Sequence, residues 1–161
     1  MLRRLVTAGA GRRLHTEACD TLIIGGGVVG SSVAYHLAQA RGSGRGITVV
    51  ERDKTYANAS AVLSAGGIRQ QFSLKENVQM SMYGIDFVKN ARGLLEVDGD
   101  DGGDDLQFQE NGYLFLASSE AGKAALQRNH ATQRECGVDW MELLTAEELS
   151  ARFPWLNTAD V

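Results

Sequence analysis

Thr21-Leu22-Ile23-Ile24-Gly25-Gly26-Gly27-Val28-Val29-Gly30, continued by Ser31-Ser32-Val33-Ala34-Tyr35-His36-Leu37-Ala38, is the stretch on which the reading of this 161-residue chain turns. A β-branched apolar run enters a glycine turn and leaves it with helical periodicity. Gly25, Gly27 and Gly30 keep the G-x-G-x-x-G spacing, and each has its own physical task. The first permits a tight turn, the second lets the main chain approach a pyrophosphate, and the third lets helix and strand pack closely. With Val28 and Val29 they would present N–H groups at a helix N-terminus, where the dipole favours an anion.

Working outward, a second apolar run, Ile47-Thr48-Val49-Val50, ends in Glu51. That is the place from which an acidic residue reaches the ribose hydroxyls of a dinucleotide. The plainer alternative is a glycine-rich βαβ turn that binds nothing, with Glu51 as a solvated strand end. Apolar residues at 29, 33, 37 and 38 predict the buried face of the intervening helix. Residues 41–46, rich in glycine, end that helix and form a loop. His36 has no second ligand near it in sequence and reads as a helix-surface residue.

Composition sets the outer bounds. Hydrophobic residues make up 43% of the chain, as expected for a globular protein. A net charge of −4 argues against a general nucleic-acid binder. No apolar run approaches the roughly 20 residues that span a bilayer. The two cysteines, Cys19 and Cys136, have no C-x-x-C partner and no histidine at metal spacing, so neither a disulfide framework nor a metal site is expected.

Residues 1–19 do not read as fold. Arg3, Arg4, Arg12 and Arg13 stand among Ala, Leu, Thr and Val, and no acid appears before Glu17. This is the composition of a mitochondrial transit peptide, and a disordered basic tail is the alternative. Without it the remainder carries about −7.

Beyond Glu51 and Arg52, residues 53–71 carry little side-chain bulk, including Ser60, Ser64, Gly66 and Gly67. Such a stretch suits contact with a large flat ligand through hydroxyls and backbone N–H groups. A surface loop with a Gly-Gly turn reads equally well. Here the sequence resembles the D-amino-acid oxidase-like FAD-dependent oxidoreductases, the group with sarcosine and dimethylglycine dehydrogenases and glycine oxidase. The glycine motif with Ala34, the Glu51-Arg52 pair and the run through Ser64-Ala65-Gly66-Gly67-Ile68 carry the resemblance. It extends from about Asp20 to the end of the chain. Three segments are more specific, residues 51–56, 66–74 and 153–158. They resemble a mitochondrial branch of the family associated with assembly of respiratory complex I.

The resemblance implies FAD as cofactor. Gly25, Gly27 and Gly30, with the N–H groups of Val28 and Val29, would hold its pyrophosphate. Glu51 would accept from the adenosine ribose and Arg52 would lie beside the adenine half. Ser60 and Ser64 would touch the diphosphate and ribityl chain, with Gly66 and Gly67 approaching the flavin ring. Relatives often read Ser-Thr-Gly where this chain has Ser60-Ala61-Val62, so individual contacts there differ. A small amine is the implied substrate, complex I subunits or assembly intermediates the implied partners, and the mitochondrial matrix or its membrane face the implied location. No residue is assigned a catalytic role. Arg69 or Gln70 would polarise flavin or substrate, or else serve as loop residues. A non-catalytic, flavin-stabilised assembly factor is the competing reading. An NAD-dependent dehydrogenase fits the Ser60–Gly67 segment less well, and the Glu51 charge disfavours NADP.

The rest of the chain predicts further elements. Ser73 is placed to cap a helix whose apolar face is Leu74, Val78, Met82, Ile85, Val88 and Leu95. Residues 98–105 are aspartate- and glycine-rich but lack the closing glutamate of a calcium loop, so a solvated loop is expected. Residues 106–108 and 113–117 read as strands joined through Asn111-Gly112. Ser118 or Ser119 caps a helix from Glu120 to about Cys136, and residues 140–143 form a short strand. Thr145 and Glu148 make a capping box for a last helix that Pro154 stops. The expected fold is thus α/β: the N-terminal part of a Rossmann-like FAD-binding domain over residues 20–97, then the start of an α+β substrate domain over 98–161. Two parallel strands and one helix cannot cover both faces of a sheet. The chain is therefore expected to be the N-terminal part of a longer protein, weak in FAD retention by itself.

Overall fold

A computed structural model describes residues 18–97 and 106–161. Most of the arginine-rich leader and all of the aspartate-rich run at 98–105 lie outside these residues. The described chain forms two compact units, the first closing at Gly66 and the second opening at Gly67.

The first unit is a parallel βαβ. Strand β1 (Thr21–Ile24) pairs with β2 (Ile47–Val50) in the register Thr21↔Ile47 through Ile24↔Val50. Helix α1 (Val28–Arg41) makes the crossover between them. It ends where Gly42 turns left-handed at φ +64° and returns its N–H to the carbonyls of Ala38 and Gln39. A glycine allows this closure at no steric cost. The buried face of α1 differs from the one expected. Val29 and Val33 are 76% and 44% exposed, whereas Ala34, Leu37 and Ala38 are half-buried. The helix is set by Gly30, which lies against Ile23 and the Gly25 carbonyl. The contact stripe therefore runs along 30, 34, 37 and 38, and Val29 and Val33 fall on its flank.

The second unit is helical with extended segments. Helices α2 (Lys75–Leu95), α3 (Glu120–Glu135) and α4 (Ala146–Arg152) follow in order. Its core gathers Val78, Ala91, Val138 and Leu149, with Val78 and Val138 fully enclosed. The side chain of Gln133, also buried, donates to the Phe72 carbonyl and so is satisfied. Lys75 pairs with Glu135 at 2.6 Å between α2 and α3. Of the expected α2 stripe, Val78 is buried and Met82, Ile85 and Val88 half-buried, while Leu74 and Leu95 stay exposed.

Three sequence expectations fail in this unit. Leu74, not Ser73, is the N-cap of α2, and no side chain caps it. Ser73 stands one residue too early for its hydroxyl to meet the first-turn N–H groups. The expected strands at 106–108, 113–117 and 140–143 are not strands among the described residues. Gln107 has a left-handed φ of +52°, which breaks extension in the first. The other two are tied by side chains rather than a ladder. Gln71 Nε2 donates to the Tyr113 carbonyl at 3.0 Å, and Trp140 Nε1 donates to Gln70 Oε1 at 3.0 Å. The expected Asn111-Gly112 turn does not form either: Gly112 has φ +76°, but Asn111 has no positive φ to match it. Both capped helices form as expected: Ser119 accepts from the Gly122 N–H, and Thr145 and Glu148 complete a capping box.

Candidate functional site

The glycine turn sits between the end of β1 and the start of α1, and its geometry follows from three steric facts. Gly25 adopts φ +104°, a region that L side chains rarely enter. A Cβ on Gly30 would lie 1.8 Å from the Gly25 carbonyl oxygen and 3.3 Å from Ile23 Cγ2. A Cβ on Gly27 would meet nothing within 4 Å, so the space before it is open. Close packing on one side and free approach on the other are what a backbone cradle for an anion needs.

Hydrogen bonds fix the turn from several directions. The Gly25 N–H donates to the Val50 carbonyl at 2.8 Å, extending the sheet by one bond. The Gly26 N–H donates to Glu51 Oε2 at 2.8 Å. The Ser31 hydroxyl donates to the Gly26 carbonyl at 2.8 Å, and the Ser31 N–H to the Gly27 carbonyl at 2.9 Å. Gly27 is the N-cap of α1 with no side-chain cap, and no acidic residue stands in the first turn. The N–H groups of Val28, Val29 and Gly30 open a 14-residue helix, where helical geometry supplies no acceptor. Positive dipole, donors and open space coincide there.

Glu51 closes the other side. Its Oε1 accepts the Asp53 N–H at 2.9 Å while Oε2 accepts that of Gly26. The Asp53 amide first, then that of Gly26, holds the Glu51 carboxyl below its ordinary range. Asp53 is itself held low, chiefly by the Thr55 hydroxyl at 2.6 Å and then by the Thr55 N–H. Tyr56, at φ +55°, brings its hydroxyl against Gly26. Arg52 is exposed at the strand end.

Residues 53–64 form consecutive turns, with Ala59 N–H on Tyr56 O at 2.8 Å and Leu63 N–H on Ala59 O at 3.1 Å. Ser60 is exposed. Ser64 is occupied within its own turn: it donates to Ala61 O at 2.8 Å and accepts the Gly66 N–H at 3.2 Å. Gly66 takes φ +67°. The structure thus brings Gly25, Gly27, Val28, Val29, Gly30 and Glu51 together in one unit, with Ser60 and Ser64 farther along its loop. Gly67 belongs to the second unit, where a Cβ would collide with the Tyr113 hydroxyl.

Gly26, Ser31 and Tyr56 were not singled out from sequence. A hydroxyl directly after the third glycine was a readable signal for Ser31. Nothing local announced that Gly26 would meet a residue 25 positions away.

The second unit carries a separate cationic feature. The Arg69 guanidinium lies 4.8 Å from the Phe72 ring centre and 5.4 Å from that of Phe115. The Ser81 hydroxyl bonds the Arg69 carbonyl. Among the described residues Arg69 makes none of the ion pairs, so its charge is positioned by aromatic faces alone. Among the described residues there is no cluster of three metal-binding side chains, and no helix is long and apolar enough to cross a membrane.

Comparison with known proteins adds to this geometry. Residues 20–161 match the family model described as FAD dependent oxidoreductase, DAO. The chain is 48% identical over 150 residues to FAD-dependent oxidoreductase domain-containing protein 1 of Xenopus laevis. It is 50% identical over 151 residues to the protein of that name in Bos taurus. In each comparison 92% of this chain aligns with about 30% of the relative, so the chain spans under a third of their length. A glycine oxidase of Bacillus licheniformis is 29% identical over 123 residues, 76% of this chain and 31% of that enzyme. No solved structure matches the chain at a significant level.

Proposed function

The chain belongs to the FAD dependent oxidoreductase family, DAO, and from that premise we propose that it supplies the FAD-binding start of an oxidoreductase acting on small amines or amino acids. One observation carries the reading: an uncapped helix start behind open space at Gly27, facing a two-handed Glu51. The N–H groups of Val28, Val29 and Gly30 would take the FAD pyrophosphate, and Glu51 the adenosine ribose. Arg52 would flank the adenine, with Ser60, Ser64, Gly66 and Gly67 nearer the ribityl and flavin. Bound FAD would supply the hydride acceptor, so no nucleophile is required of these residues.

The amine assignment draws on the likeness to glycine oxidase. Within it, the always-charged Arg69 guanidinium would favour an amino acid over a simple amine, because it suits a substrate carboxylate. In this reading residues 98–161 begin the substrate domain. Mitochondrial location rests on the arginine-rich, acid-poor leader. A link to complex I assembly rests on the resemblance of residues 51–56, 66–74 and 153–158 to the mitochondrial branch.

The test is an absorption spectrum of the purified protein in its longest form, then anaerobic addition of secondary amines and N-methyl amino acids. Flavin bands bleached by one of these substrates support the enzyme. A flavin that no amine reduces, in a protein that co-purifies with complex I intermediates, favours a flavin-stabilised assembly factor. A colourless protein that FAD cannot reconstitute ends both.

A further inference from the structure

We infer that Glu51 is a positioning residue acting through Gly26: its carboxylate fixes the glycine turn in its receiving form before a ligand arrives and keeps that bond in the complex. The inference deepens the FAD reading above and rests on it for the second half. A carboxylate has two oxygens with about two acceptor positions each. The structure uses one on each: Oε2 for the Gly26 N–H at 2.8 Å and Oε1 for the Asp53 N–H at 2.9 Å. One position per oxygen remains for a ribose hydroxyl, so ribose binding and the grip on the turn are compatible.

The grip is well braced. On its far side Gly26 is held by the Ser31 hydroxyl on its carbonyl. Its neighbour Gly25 is tied to Val50. Tyr56 folds back so that its hydroxyl stands 2.9 Å, and Glu51 Cβ 3.2 Å, from where a Gly26 Cβ would be. The peptide linking Gly25 and Gly26 is therefore locked at the point where the chain turns toward the helix start. A turn left to fluctuate would have to be ordered by the ligand, at a cost in affinity.

Glutamine separates the two roles of Glu51. It retains a single acceptor oxygen and substitutes a donor for the other, so it cannot offer each amide its own oxygen as the carboxylate does. A ribose hydroxyl both donates and accepts, so either end of a glutamine amide still serves it. The first measurement needs no variant. Scalar coupling through the hydrogen bond, from the Gly26 amide nitrogen to the Glu51 carboxyl carbon, is recorded by NMR on this chain without ligand and then with FAD. Coupling in both states is expected. Its absence in the free chain, or its loss when FAD binds, overturns the inference.

The second measurement compares Glu51→Gln with the parent. Gly26 amide exchange should quicken by at least about tenfold, the weight of one lost charge-assisted bond. Affinity should fall by the same factor for FAD and for an FAD analogue lacking the adenosine 2′-hydroxyl. A loss that disappears with the deoxy analogue would mean that Glu51 works through ribose alone. If Glu51→Gln does not fold, the coupling in the parent chain decides. FAD uptake is scored on the protein in its longest form; if that takes up no FAD, the cofactor reading fails, and the free-chain coupling still tests the grip on Gly26.

Discussion

Glu51 Oε2 and the Gly26 N–H meet at 2.8 Å across 25 positions of sequence, joining the end of one parallel strand to the turn that leaves the other. This bond makes the βαβ unit more than two strands and a helix. It also couples the charge of Glu51 to the shape of the glycine turn.

The steric demand at the third glycine gives the sharpest structural prediction. In Gly30→Ala the new Cβ would meet a backbone oxygen at 1.8 Å, which no side-chain rotation can relieve. The variant should lose about 1–3 kcal/mol of stability, the usual cost of an overpacked contact, and with it FAD uptake. Urea denaturation and a flavin titration check both. Gly27→Ala, with open space around its Cβ, should keep its stability while weakening FAD binding.

Stability should be bounded by pH at both ends. Glu51, Asp53, Glu135 and Glu148 all have carboxyls held below their ordinary range. Groups of this kind stabilise the fold above their unfolded pKa, and the contribution disappears as pH falls through the lower folded value. Lys75 is raised, first by its hydrogen bond to Glu135, so its contribution is full below its unfolded pKa and lost as pH climbs through the higher folded one. Thermal midpoints should be flat between roughly pH 5 and 9 and fall beyond about pH 4 and pH 10.5. In Lys75→Met the alkaline fall should soften while the acid limb persists.

Helix ends offer a calibrated control. Thr145 caps α4 and exchanges bonds with Glu148, its N–H reaching Oε2 at 2.8 Å. Thr145→Ala should cost about 1 kcal/mol by denaturant titration. Ser119→Ala, which leaves the Gly122 N–H without its 3.1 Å acceptor, should cost about as much. Ser73→Ala should cost less than either, because Ser73 does not cap α2.

Arg69 tests the substrate side of the proposal. Lysine at this position keeps the charge but loses the planar group that stacks on Phe72 and Phe115. Arg69→Lys in the longest form of the protein should raise KM for carboxylate-bearing amines about tenfold or more, and leave KM for neutral amines within about twofold. Equal effects on both substrate classes would assign Arg69 to packing alone.

Sequence made the first unit largely legible, because its determinants are local. Three glycines at fixed spacing, two β-branched runs and a helix between them need only neighbouring residues for their meaning. The caps at Ser119 and Thr145 were legible for the same reason. What escaped depended on contacts distant in sequence. Residues 113–117 have strand-forming side chains, yet a strand exists only where a partner pairs with it. Here Tyr113 is held instead by the side chain of Gln71. On α1 the apolar period alone points to Val29 and Val33, whereas the close packing at Gly30, which the glycine motif does announce, sets the line of contact.

The most direct test of the central claim is a competition titration on the protein in its longest form. FAD binding is followed by flavin fluorescence, and ADP and FMN are added in turn as competitors. If the glycine turn and Glu51 form the cofactor site, ADP will displace FAD because it carries the pyrophosphate and adenosine ribose, and FMN will not. No FAD binding, or displacement by FMN with indifference to ADP, would contradict the account.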